Sequence, residues 1–146
     1  MVLKCKNISE LVVYSLTDES NESEDFIFGK VPMFQGQEIA AITGVIIKGA
    51  YKIITAYGIR HTIKRHGNNL EEEKRGQIGV TPKDFDYIHT ILINPDRVEK
   101  GNDGSRGKQA LKFLKKISGK EYIVVMSVIK SRGDILLEFD TMYIKK

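Results

Sequence analysis

The spacing of apolar residues along this chain is helical at first and strand-like towards the end, and that change of period sets the expected fold. Residues 11–16 form a short apolar stretch. Residues 17–25 are polar, acidic and aperiodic, and read as a solvated loop. Phe26, Ile27 and Phe28 read as a strand or buried extended segment, interrupted by Gly29 and Pro32. Residues 37–43 fit a short helix that turns Ile39 and Ile42 inward and stops at Gly44. Between Thr55, a natural N-cap, and Gly67, a candidate left-handed C-cap, lie about three helical turns. At about 100° per residue, Ile59, Ile63 and His66 fall on one side of that helix. Tyr57, Arg60, His61, Lys64 and Arg65 fall on the other.

Residues 71–77 read as a charged loop in which Gly76 permits a tight backbone. Thr81, Pro82 and Asp84 then signal a new helix, running to about Ile93 with Phe85, Ile88 and Leu92 inward. Residues 121–130 are almost continuously apolar and predict a central strand. A turn over residues 131–134 leads to a returning strand over residues 135–144, so the end of the chain is an antiparallel hairpin. Its Arg132-Gly133-Asp134 is turn chemistry. Residues 109–117 fit a helix through Ala110, Phe113, Leu114 and Ile117, and in part a strand through Leu111, Phe113 and Ile117.

A length of 146 residues suits one domain with a real core, and 41% hydrophobic with 29% charged residues is the composition of a globular protein. No apolar run approaches the ~20 residues needed to span a bilayer, so no membrane association is expected. The first residues lack the features of a signal peptide, which points to the cytoplasm. Cys5 is the single cysteine, leaving no internal disulfide and no cysteine pair for zinc. The charge is unevenly divided. Residues 1–50 carry four Lys against seven acids, whereas residues 51–146 carry 19 Lys plus Arg against 12. That balance favours an anionic partner for the part that holds the histidines.

Two of the three histidines, His61 and His66, lie with Arg60, Lys64 and Arg65 on the one basic helix. Cations attract phosphoryl groups and histidine exchanges protons near neutrality, so this stretch suits phosphodiester chemistry. The histidines are five residues apart, about 140° around a helix, whereas a zinc pair uses four. No metal and no cofactor is therefore expected. His89 has no such cluster and reads as structural or exposed. Arg75 and Gln77 are candidates to clamp phosphate or base. On the last strand, alternation puts Thr141, Tyr143 and Lys145 on one face, where hydroxyl, phenol and ammonium suit a phosphate developing negative charge.

In order along the chain, Ile59-Arg60-His61 with Lys64-Arg65-His66-Gly67, Glu72 with Arg75-Gly76-Gln77, Asn94-Pro95-Asp96 and Thr141-Met142-Tyr143 resemble the signatures of a known group. These are the phage-associated nuclease-like domains related to barnase, EndoU, colicin nucleases and RelE. The resemblance divides the chain into an N-terminal segment, residues 1–25, with its acidic loop, and a nuclease-like domain, residues 26–146. It implies an α+β fold, with N-terminal helices packed on a C-terminal antiparallel sheet, and it favours a strand at residues 109–117. It also implies metal-independent RNA cleavage by attack of the ribose 2′-hydroxyl. His61 or His66 would be the base, and the other, or Tyr143, the acid. Arg60, Lys64, Arg65, Arg75, Gln77 and Lys145 would hold substrate, with Thr141 donating a hydrogen bond. RNA is the implied partner, with a protein inhibitor or a larger phage or mobile-element assembly as further partners left open. A noncatalytic RNA-binding or phage structural module retaining the fold is the alternative.

Overall fold

The computed structural model describes residues 7–17, 25–101, 108–131 and 133–146. The expected acidic loop falls mainly on residues 18–24, and these, like Cys5 and Arg132, lie outside the described residues. In chain order the elements are α1 (Ile8–Ser15), β1 (Asp25–Lys30), α2 (Met33–Thr43), β2 (Tyr51–Thr55), α3 (Ala56–His66), α4 (Asn69–Glu73) and β3 (Gln77–Ile78). A 3-10 helix (Pro82–Tyr87) then runs into α5 (Ile88–Ile93), followed by β4 (Arg97–Lys100), β5 (Ala110–Ile117), β6 (Lys120–Ser131) and β7 (Asp134–Lys145). Among the described residues no helix is long and apolar enough to cross a membrane.

The fold is α+β with a seven-stranded sheet in the order β1-β2-β7-β6-β5-β4, and β3 also pairs with β7. The expected hairpin is present, with β6 and β7 paired along their whole lengths at the centre of the sheet. Residues 109–117 resolve into strand β5, paired with β6. The sheet is neither purely antiparallel nor confined to the C-terminal part, which corrects the expected architecture. β2 joins it parallel to β7 over Leu136, Leu137 and Glu138, and β1 extends it further. The reason is non-local. The open edge of β7 offers unpaired peptide groups, and the apolar β2, with Ile53 and Ile54 buried, satisfies them.

One face of the sheet, through Val124, Met126, Phe139 and Met142, packs with Leu11 of α1, Ile59 of α3 and Phe85 of the 3-10 helix in one core. The Thr81 start is as expected, since its N–H and O–H both donate to the Asp84 carboxylate at 2.8 and 3.0 Å. Three other local expectations fail. α2 begins at Met33 and leaves Ile42 63% exposed, because only Ile39 meets the core before Gly44 ends the helix. Gly67 is right-handed at φ −85°, not left-handed. Glycine is needed there for space, since a Cβ would press into the Ile63 carbonyl. Finally, residues 71–77 are no simple loop: they contain most of α4 and the first residue of β3.

Candidate active site

The site begins with the order of β2, α3, α4 and β3 along the chain. β2 pairs with β7 at residues 136–138 and β3 pairs with it at Ile144 and Lys145. On that side, among the described residues, β7 therefore lacks a strand partner between the two, and α3 lies along this stretch. Gly58 brings the first turn of α3 so close that a Cβ would stand 3.1 Å from both the ring and the carbonyl of Phe139. At the other end the His66 ring lies against Tyr143, with centroids 5.7 Å apart. The helix rises about 12 Å from Gly58 to His66 and the strand about 13 Å from Phe139 to Tyr143. Helix and strand thus run side by side in the same direction.

Two local features aim the side chains. Thr55 caps α3 by accepting a hydrogen bond from the Gly58 N–H at 3.1 Å, as its sequence position predicts. Opposite α3, β7 contains a bulge: Val125 pairs with Thr141 and Met126 with Phe139, leaving Asp140 as the extra residue. The bulge resets the alternation, so Phe139 and Met142 both enter the core. Thr141 and Tyr143 then share the opposite face with Lys145. Gln77, opposite Lys145 in register, lies on that face too. The Oγ1 of Thr141 and Oε1 of Gln77 are buried without a hydrogen-bond partner among the described residues.

The strongest polar arrangement is built by α4. Asn68 caps this one-turn helix, accepting from the Leu70 and Glu71 N–H groups at 3.0 and 3.3 Å. Glu72 is thereby carried under the end of α3, where its side chain is fully buried. One carboxylate oxygen accepts from Arg75 Nη1 at 3.1 Å, and the other faces His66 Nδ1 at 3.1 Å. An ionised carboxylate only accepts, so Nδ1 is the nitrogen that carries hydrogen. In the neutral ring, Nε2 then keeps its lone pair and can take a proton. The main-chain carbonyl of His66 is fixed as well, accepting from the Val80 N–H at 2.7 Å. Glu72, His66, Arg75 and Tyr143 form one continuous cluster.

His61 is not part of it. α3 is a single regular helix, and it turns His61 towards a different neighbourhood, stacked on Tyr57 with centroids 5.7 Å apart and planes 17° from parallel. Arg60, His61 and Lys64 line a cavity of about 470 Å³ against Leu16 and Thr17 at the end of α1. Partial burial, helped by the charges of Arg65, His66 and Lys64 and opposed by Asp140, lowers the His61 pKa below the usual histidine value. His89 lies elsewhere, stacked on Phe28. Lys64 and Arg65 in the last turn also complement the negative end of the α3 dipole.

Sequence reasoning missed three contributors: Glu72 as an orienting group, Tyr57 as a stacking partner and Asp140 as the bulge. Glu72 left a signal in its three-residue spacing from Arg75, and Tyr57 in its four-residue spacing from His61, each of which suits one helical turn; Asp140 left none. Among the described residues no three His, Cys, Asp or Glu side chains come together as a metal site would require.

No curated protein and no solved structure matches the chain. A family model does, over residues 29–146, and it is described as phage-Barnase-EndoU-ColicinE5/D-RelE like nuclease3. The matched stretch includes α3, α4, β3 and β7, the elements that carry the Glu72, His66 and Tyr143 cluster. On that match the chain belongs to this phage-associated family of nuclease-like domains.

Proposed function

We propose that this domain is an RNA endonuclease in which the ribose 2′-hydroxyl attacks the adjacent phosphorus without help from a metal. The observation that carries the reading is the buried Glu72 carboxylate 3.1 Å from His66 Nδ1, with the His66 ring against Tyr143. A carboxylate that fixes the tautomer of a histidine prepares Nε2 as a general base. His66 takes the 2′-hydroxyl proton as the new oxygen–phosphorus bond forms. The bond to the 5′-oxygen breaks, and the Tyr143 phenol delivers a proton to that leaving group. Thr141, on the strand face that carries Tyr143, is the donor to a nonbridging oxygen. Arg75 and Lys145 offset the phosphate charge, Gln77 offers an amide to base or phosphate, and Arg60, Lys64 and Arg65 hold the flanking backbone.

The test is cleavage of a labelled RNA in EDTA. The expected products end in a 2′,3′-cyclic phosphate and a 5′-hydroxyl, and an RNA with a single 2′-deoxy substitution at the cut site stays whole. His66→Ala and Tyr143→Phe should each cut at least about 100-fold more slowly, as loss of a general acid or base implies, with little change in RNA affinity. Cleavage lost in EDTA and restored by a divalent metal would overturn the mechanism. Tight RNA binding with no cleavage of any RNA would make the domain a noncatalytic module.

A further inference from the structure

Beyond the reacting phosphate, α3 presents an aromatic row beside a cationic one. Tyr57 and His61 are four residues apart, as are Arg60 and Lys64, so each pair stacks along the helix axis on neighbouring faces. Tyr57 is 55% exposed although it is a large aromatic residue on a helix that otherwise buries Ile59 and Thr62 completely. Its ring and that of His61 lie nearly parallel, 17° apart, as a two-ring platform. Leu16, 45% exposed, and Thr17 form the facing wall of the cavity of about 470 Å³.

We propose that this cavity is a nucleotide subsite: it holds one unpaired nucleotide of single-stranded RNA next to the cleaved bond, the base stacked on Tyr57 and His61 and its phosphate on Arg60 and Lys64. The proposal rests on the RNA-cleavage reading and gives that site its substrate class, a strand with unstacked bases. Aromatic faces bind bases of any sequence, and adjoining cations follow the backbone, which is how single strands are held. The position suits a flanking nucleotide and not the reacting one: His61 and His66 are separated by about 7.5 Å along the helix axis and by about 140° around it. The His61 ring also responds to Asp140, the extra residue of the β7 bulge. His61 is thus a binding residue for the flanking nucleotide rather than the second proton carrier.

The test uses a fluorescent single-stranded DNA oligonucleotide, which lacks the 2′-hydroxyl and so reports binding without cleavage, and a duplex of the same length. Tyr57→Ala should weaken single-strand binding about fivefold or more, the loss expected for one base–aromatic stack, and leave duplex binding unchanged. His61→Ala should do the same, while His61→Phe, which keeps the ring and removes the titrating nitrogens, should bind within about twofold of wild type. Circular dichroism of each variant confirms the fold, and a variant that fails to fold leaves the other position to decide. Single-strand affinity unchanged in both alanine variants overturns the subsite, whether or not RNA is cleaved. Weakened single-strand binding by a protein that cleaves no RNA leaves the subsite standing and refutes the catalytic reading instead.

Discussion

Replacing Glu72 by Gln tests the central geometry with almost no change of shape. Glu72 is fully buried and serves two donors at once, His66 Nδ1 and Arg75 Nη1, each at 3.1 Å. A glutamine has one oxygen and one nitrogen. Arg75 has donors only, so the oxygen must turn towards it, and the amide nitrogen then faces His66. That nitrogen donates to Nδ1, which moves the ring hydrogen to Nε2 and abolishes the base. The bond to His66 becomes an ordinary one and the bond to Arg75 keeps only the guanidinium charge, which costs about 1–2 kcal/mol in total, since charge roughly doubles such a bond. The half-exposed Arg75 recovers part of this from water. In a domain of this size a Tm loss of roughly 2–8 °C follows, at about 2–4 °C per kcal/mol. The catalytic loss is of another order, about 100-fold or more in kcat for a base in the wrong tautomer. KM should change little, because Glu72 does not touch substrate. The assay is steady-state cleavage of a labelled RNA beside a thermal melt. A variant that melts lower but keeps kcat within about threefold of wild type would show that Glu72 is only a structural ion-pair partner, and the orienting role would be refuted.

Charge reversal at Arg60, Lys64 or Arg65 to Glu should weaken RNA binding across many sequences and flatten the dependence of affinity on salt, because each lost phosphate contact releases fewer counterions; an unchanged slope would show that this face does not touch nucleic acid. The histidines give stability a defined pH dependence. Burial lowers the pKa of both His61 and His89, aided by Arg65 at the first and by Lys52 at the second. The unfolded chain therefore binds protons at a higher pH than the folded one, and stability falls as pH drops from about 6.5, the unfolded histidine value, through the lower folded values. Asp96, whose pKa the Lys116 backbone hydrogen bond lowers, acts below that window. Urea midpoints at pH 7.5 and 5.5 should differ less in a His61→Phe, His89→Phe double variant than in wild type; an equal difference would refute the assignment.

What the sequence by itself determined is local. The cap at Thr55, the start at Thr81-Pro82, the β6–β7 hairpin and the sharing of one face by Thr141, Tyr143 and Lys145 follow from periodicity and cap chemistry within a few residues. The ordered motifs also carried the family, because they are short strings that survive without knowledge of their contacts. Tertiary structure decided everything that depends on which distant groups meet. That β2 lies parallel to β7, and that α3 accompanies β7 between β2 and β3, depends on pairing of residues far apart in the chain. So does the fate of Glu72, which reads as one acid among three in a charged run and becomes the buried partner of His66. Gly67 shows the limit at a single residue: left-handed backbone and close approach both require glycine, and only the position of the Ile63 carbonyl tells them apart. Likewise both histidines lie on one predicted helix, but their different surroundings are set by what stands opposite each, a buried carboxylate and a tyrosine for His66 and a stacked, solvent-facing tyrosine for His61. Periodicity fixes the direction in which a side chain leaves its helix, while the charge and burial that set its chemistry come from other elements.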